Sequence, residues 1–337
     1  MQTLIACPPF HSLFRALSKG KFSKEQFPTL FRLTRFINEF DPIDSSHKLE
    51  LKRGKEVYIS VGPSFAPQYL YELLKEFNPI SDEWQEDMQE FLLFLIDRVH
   101  TELLEIGIDD LSEETSVICA DGNSSIPGEW VRVDKQNKSS IVVTDRTKFK
   151  KSVISAIFGG ELQSTIRRKT AKPSTALEPF FCLHLDINSE NITSLEEAMD
   201  EYVETEKLSD SDNGSIQMTK QNSISALPSI FLIHLKRFAY EEGNIVKICK
   251  DIEYPEKLVI KSKWMSSSFI SGRTYRLFAV IRHLGQKAQG GHYTCYVKQF
   301  NDVWLHFDDA DVQAIEIEKV LAEPNAYVLA YIKEEAD

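Results

Sequence analysis

Apolar side chains recur at Met88, Phe91, Leu92, Leu95, Ile96, Val99 and Leu103. Spacings of three and four line one face of an α-helix. They predict a helix over residues 82–105, with Asp82 and Gln85 resembling a capping box. Shorter amphipathic runs predict helices over 12–17 and 24–40, separated around Gly20, with Pro28 in the first turn of the second. Residues 107–129 are rich in Asp, Ser, Gly and Glu and read as a loop. From Trp130 onward the period changes to two. Residues 180–187 alternate, 194–203 form a short helical pattern, and Asp212-Asn213-Gly214 marks a turn between two strands. Residues 229–238 (SIFLIHLKRF) are a strongly apolar strand with a basic end. Further strands fall at 275–282, 291–300, 303–307 and 326–333, at hairpin spacing. The expected class is α+β: a helical lobe over 1–110 packed on a mostly antiparallel sheet over 130–337.

Composition narrows the chemistry. The chain has 337 residues, 42% hydrophobic and 27% charged, with a net charge of −12. That charge argues against nucleic acid and anionic membranes as partners. No segment approaches the roughly 18 to 20 apolar residues of a membrane span. The start, MQTLIACPPFHSLFRAL, lacks the basic and long apolar regions of a secretion signal. The cysteines are Cys7, Cys119, Cys182, Cys249 and Cys295, an odd and scattered set without C-x-x-C. This pattern predicts no disulfide framework, no structural zinc and a reducing compartment, the cytoplasm and also the nucleus. No cofactor is expected.

The candidate chemistry lies near the C-terminus. Gly290-Gly291-His292-Tyr293 opens one strand, and Trp304-Leu305-His306-Phe307-Asp308-Asp309 closes the next. A histidine with a carboxylate one strand away is the base-and-orienter half of a nucleophilic hydrolase. Taken alone, His292 also fits a sheet histidine with a hydrogen-bond partner, and Asp-Asp-Ala-Asp is also good turn chemistry. Asp87 and Glu90 suit the positive end of the long helix. Phe238 and Tyr293 fit core aromatics as well as channel walls, and the glycine pair fits a strand-entry turn. No cysteine is a good nucleophile candidate. Cys295 is an odd offset from His292, so the two point to opposite faces. Cys7 sits beside Pro8-Pro9. Both read as small buried hydrophobes.

Several segments together resemble the ubiquitin-specific protease family, the papain-like deubiquitinating enzymes. They are CPPFHSLFRAL, WQEDMQEFLLFLIDRVHTEL, IFGGELQSTI, EPFFCLHLDI, LPSIFLIHLKRF, YRLFAVIRHLG, GGHYTCYV and WLHFDDADV. The resemblance implies a papain-like fold with a helical thumb, a palm sheet and a finger hairpin. It implies a thiol-dependent deubiquitinase that cleaves after the C-terminal Gly-Gly of ubiquitin by Cys-His-Asp chemistry. His292 would be the base, Asp308 the orienter and Asp309 an auxiliary group near the oxyanion. Asp87 and Glu90 would hold the arginines of the ubiquitin tail. Phe238, Gly290, Gly291 and Tyr293 would wall the tail channel. The implied partners are ubiquitin and ubiquitylated proteins, bound by a monomer. Of the family's cysteine box only the tail is recognisable, as Met1-Gln2-Thr3-Leu4, which puts the nucleophile six residues ahead of Met1. The expectations that follow are an active domain whose nucleophile is missing here, or a catalytically dead ubiquitin-binding scaffold. Loss of the box would also leave apolar surface exposed around Leu4 and Ile5.

Overall fold

The computed structural model describes residues 1–39, 57–58, 67–79, 86–107, 131–133, 140–143, 151–168, 172–209, 216–241, 243–267, 272–286, 291–299 and 302–334. The helical lobe comprises α1 (Gln2–Ala6), α2 (Pro8–Leu17), α3 (Pro28–Glu39), α4 (Gln68–Phe77) and α5 (Met88–Ile106), with the short strand β1 (Val57–Tyr58) between α3 and α4. Proline opens both α2 and α3, where its missing N–H has no partner to lose. Next come β2 (Val131–Val133), β3 (Ser140–Val143), α6 (Val153–Phe158), β4 (Gly160–Arg168), β5 (Ser174–Phe180), β6 (Cys182–Asp186), α7 (Leu195–Tyr202), β7 (Glu206–Ser209) and β8 (Ile216–Ala226). The chain closes with β9 (Ile230–Lys236), β10 (Phe238–Glu241), β11 (Asn244–Lys247), β12 (Lys257–Val259), β13 (Thr274–Leu284), β14 (His292–Lys298), β15 (Trp304–Asp308), β16 (Asp311–Ile315), α8 (Ile317–Leu321) and β17 (Ala326–Lys333).

Three sheets carry the described strands. The largest runs β1-β16-β15-β14-β13-β17-β9-β6, with β12 also on β13; the second runs β2-β3-β5-β4-β8-β7; the third is the hairpin of β10 and β11. Pairing is antiparallel except for β6 with β9 and β3 with β5. The central strands of the large sheet are buried on both faces. Along β9, Ile230 and Leu232 join the core under the helical lobe, while Phe231, Ile233 and Leu235 join a second core under α7. Along β17, Val328 and Ala330 face the first core, and Leu329 and Tyr331 the second. A strand covered on both sides has no polar face, so residues 229–238 read as an unbroken apolar run.

Two expectations are corrected. The long helix begins at Met88, not Asp82. Asp87 has extended backbone and caps the helix, its Oδ1 accepting from Gln89 N at 2.8 Å and Glu90 N at 3.2 Å. An N-cap carboxylate there satisfies the first free N–H groups and ends the helix; Asp82 and Gln85 lie outside the described residues. Leu4 and Ile5 are buried, because α1 packs on β13 and β14. The Asp212-Asn213-Gly214 turn lies outside the described residues, and β7 and β8 on either side of it pair antiparallel.

The helical lobe is tied together by a buried acid. Glu102 of α5, only 4% exposed, accepts from Thr29 N at 2.9 Å and Leu30 N at 2.8 Å, capping α3 from 73 positions away. Glu102→Gln removes the charge and turns an amide N–H₂ toward the same donors. It should cost about 1.5–3 kcal/mol, read as a lower denaturation midpoint with unchanged slope. Wild-type stability in this variant would show that the cap contributes nothing.

On β6 and β9 the register sets His184 beside His234, Nδ1 to Nδ1 at 3.0 Å. Burial above all, then His184 and Lys236, pushes the His234 imidazole down to about 3, against an ordinary value of about 6.5. The fold therefore holds His234 neutral. Its contribution is complete above pH about 6.5 and is lost as pH falls from there toward 3. His234→Leu should flatten the acid limb of the stability–pH curve, and an acid limb as steep as in the wild type would refute the neutral assignment.

Candidate active site

The register of the large sheet brings the sequence-predicted pair together. Cys295 pairs with Phe307 across β14 and β15, and continuing that register sets Asp308 opposite Thr294. His292, two positions before Thr294, shares that face and lies on the diagonal to Asp308, within reach of a side chain. The contact is made: His292 Nε2 is 2.5 Å from Asp308 Oδ1. Both side chains are half-exposed, at 44% and 42%. Asp309 follows with φ 50°, in the left-handed turn between β15 and β16. Its carboxylate, the His292 ring and Asp308 have ligand atoms within 4.8 Å of one another, and among the described residues no cysteine sulfur joins this group.

Hydrogen bonding to a carboxylate selects the tautomer of an imidazole. With Nε2–H donating to Asp308, Nδ1 is the ring's free acceptor, the atom able to take a proton from a nucleophile. The described cysteines are not placed to be that nucleophile. Cys295 and Cys7 are buried, and burial pushes their thiols up to about 11 and about 12. Cys182 is buried too, its thiol pushed up to about 12. Cys249 is exposed, with its sulfur 4.0 Å from Gln286 Oε1. A protonated thiol is a poor nucleophile and a poor metal ligand. Cys119 lies outside the described residues.

Beside the pair lies an aromatic cluster that holds two expected residues and two that sequence reasoning missed. His283, fully buried, meets Phe238 at 5.3 Å, Tyr293 at 4.7 Å and Tyr327 at 5.9 Å between ring centroids. His283 and Tyr327 sit inside apolar strands and look like core from sequence. The available signal was cross-strand pairing: His283 is opposite Tyr293, next to the base. Gly291 is fitted to His283. A Cβ there would stand 2.0 Å from His283 Nε2, far inside van der Waals contact. The missing side chain thus points at the imidazole, not out into a channel, and only glycine tolerates the approach. Gly290 lies outside the described residues.

Asp87 and Glu90 have different surroundings. Besides its capping bonds, Asp87 accepts at Oδ2 from the Tyr327 hydroxyl at 2.5 Å. This joins the start of α5 to β17; burial above all, then this bond to Asp87, drives the Tyr327 phenol well above its usual range. Glu90 is exposed and, among the described residues, its carboxylate makes no hydrogen bond. Burial, then Asp87 and Glu86, raises its carboxyl above the usual range.

An imidazole–carboxylate pair on an α+β fold is the base-and-orienter half of a nucleophilic hydrolase, and the comparisons place the chain in a hydrolase family. The ubiquitin carboxyl-terminal hydrolase family matches over residues 1–331. Ubiquitin carboxyl-terminal hydrolase 10 of Xenopus tropicalis is 33% identical over 366 residues, covering 98% of this chain and 45% of that protein. Ubiquitin carboxyl-terminal hydrolase 24 of Arabidopsis thaliana is 32% identical, covering 98% and 61%. The chain spans about half the length of the curated relatives it matches. The structure superposes on a chain of the SAGA Ubp8/Sgf11/Sus1/Sgf73 DUB module bound to ubiquitin aldehyde with a TM-score of 0.67. That likeness covers 100% of this chain and 66% of the other at 22% identity, and it speaks to the fold. The chain belongs to the ubiquitin carboxyl-terminal hydrolase family, with the architecture of a ubiquitin-specific deubiquitinase domain.

Gly291→Ala should force either the His283 ring or the strand entry to move, at an overpacking cost of about 1–3 kcal/mol. The shift should also loosen the His292–Asp308 contact, seen as a changed imidazole signal in NMR spectra. A variant with native stability and an unchanged His292 signal would show that the close approach is relieved without consequence.

Proposed function

We propose that this domain acts on the bond following the C-terminal Gly-Gly of ubiquitin by Cys-His-Asp chemistry. The observation that carries the reading is the His292 Nε2–Asp308 contact, which leaves Nδ1 as the base. Nδ1 takes the proton of a cysteine thiol, and the thiolate attacks the carbonyl of the terminal glycine. The imidazolium then gives that proton to the departing lysine amine, leaving a thioester for water to hydrolyse. Asp308 stabilises the imidazolium and keeps the ring oriented. Asp309 is an auxiliary group here. A carboxylate repels an oxyanion, so any help from it passes through a bridging donor.

Among the described residues no thiol stands at the imidazole, and on our reading this chain binds ubiquitin without cleaving it. That supports the second reading, a ubiquitin-binding protein that keeps the groove. On this reading the tail runs over the start of α5 and past the partly exposed rings of Phe238 and Tyr293, with His283 and Tyr327 buried behind them. Asp87 organises this groove through its cap and Tyr327. Glu90, with no internal partner among the described residues, is the carboxylate that takes an arginine of the tail, since arginine–carboxylate pairs are charge-assisted.

A fluorogenic ubiquitin amide should show no turnover with this chain above background. Turnover abolished by Cys249→Ser or Cys295→Ser would show that a nucleophile is present after all. Calorimetry should give a Kd for ubiquitin in the micromolar range or weaker, about −8 kcal/mol or less favourable. Ubiquitin lacking its last two glycines should bind more weakly still. Glu90→Gln should weaken only the full-length complex, by roughly 1 kcal/mol or about fivefold for an exposed pair. Equal affinity for both ubiquitins would show the groove unused.

A further inference from the structure

The hairpin of β10 and β11 pairs Phe238 with Lys247, so the two share a face. Phe238 lies against the His283 ring. Lys247 is 9% exposed, and its ammonium donates to the carbonyl oxygens of His283 at 2.9 Å and Gly285 at 2.7 Å. Among the described residues it forms no ion pair. A buried ammonium without a carboxylate is costly, and burial indeed lowers its proton affinity, with Cys249 and Glu323 opposing. What the ammonium does is gather two backbone carbonyls. The residue between those carbonyls is Leu284, and Leu284 is the β13 partner of His292. The ring of His283 is the surface against which Gly291 closes. Three consecutive residues held by one ammonium therefore form the bed on which Gly291 and His292 lie.

We propose that Lys247 is a positioning residue for His292: by clamping the His283 and Gly285 carbonyls it fixes the end of β13, and through it the contact of the imidazole with Asp308. The proposal rests on the reading of His292 as the general base. Lys247 touches neither substrate nor the reacting atoms. Its effect passes through the backbone of residues 283–285.

The test uses the 337-residue chain labelled with ¹⁵N-histidine. Long-range ¹H–¹⁵N spectra report which ring nitrogen carries the proton, with the His292 signal assigned by its loss in His292→Gln. The wild type should show a single Nε2–H tautomer, lost in Asp308→Ala. Lys247→Met should give mixed tautomers and a solvent-broadened Nε2–H, and Lys247→Arg, which can still reach both carbonyls, should restore the wild-type signal. Lys250→Met is the control for general destabilisation. Its ammonium is likewise held by carbonyls, those of Ile187 and Ser189, away from β13. It should leave His292 unchanged. An unaltered His292 signal in Lys247→Met, or an equal loss in Lys250→Met, would overturn the proposal. Should Lys247→Met fail to fold, Lys247→Gln, whose amide reaches one carbonyl, carries the same test with the same overturning result. The readout involves no ubiquitin. A failed deubiquitinase reading would appear as absent binding with these signals intact, distinct from failure of the clamp.

Discussion

The carboxylate of Asp87 is where the helical lobe and the large sheet become one structure. One oxygen receives the first free N–H groups of α5, and the other receives the phenol of Tyr327 on β17. An N-cap is worth about 1 kcal/mol, a modest sum, but the geometry it enforces reaches further. Tyr327 is packed against His234, His283 and Phe238, and His283 carries Gly291. Moving the start of α5 therefore moves the ring cluster on which the base rests. Side chains from five separate strands meet at this one place, and only a densely packed interior transmits position so directly.

What could be read from the sequence was what local patterns encode. The period of α5 was visible because its core residues repeat every three or four positions. Its first residue was not, because Asp82 and Asp87 are equally plausible caps until the backbone shows which carboxylate reaches two N–H groups. The run 229–238 was visibly a strand, yet its burial between two cores becomes clear only once α7 is placed. The second sheet was largely illegible: β4 and β8 are rich in Gln, Ser, Thr and Lys and are joined only by a pairing of residues 161–168 with 218–226. Such distant pairing leaves no periodic trace. In the site, His292 and Asp308 were legible because a glycine pair and a strand end flag them. His283, Tyr327 and Lys247 act through neighbours on other strands, and a single sequence shows no neighbours.

The two acidic residues at the start of α5 show how adjacent like residues acquire unlike tasks. Asp87 spends its acceptor capacity inside the protein, while Glu90, one turn on, faces solvent. The His292–Asp308 pair is similarly open to water, where charge interactions are screened. An extended peptide lying over the pair would displace that water and strengthen the imidazolium–carboxylate attraction as the charge develops.

The cap that Glu102 places on α3 bears on the order of assembly. A helix whose first N–H groups are satisfied by its own neighbouring side chain can be complete as soon as it is made. Here the acceptor comes more than seventy positions later in the chain. During synthesis the start of α3 stays exposed until α5 has emerged and docked, so the helical lobe closes as a unit. Contacts that join distant segments form late and slow folding, which gives the N-terminal third of the chain a window of vulnerability to proteases that its finished structure does not betray.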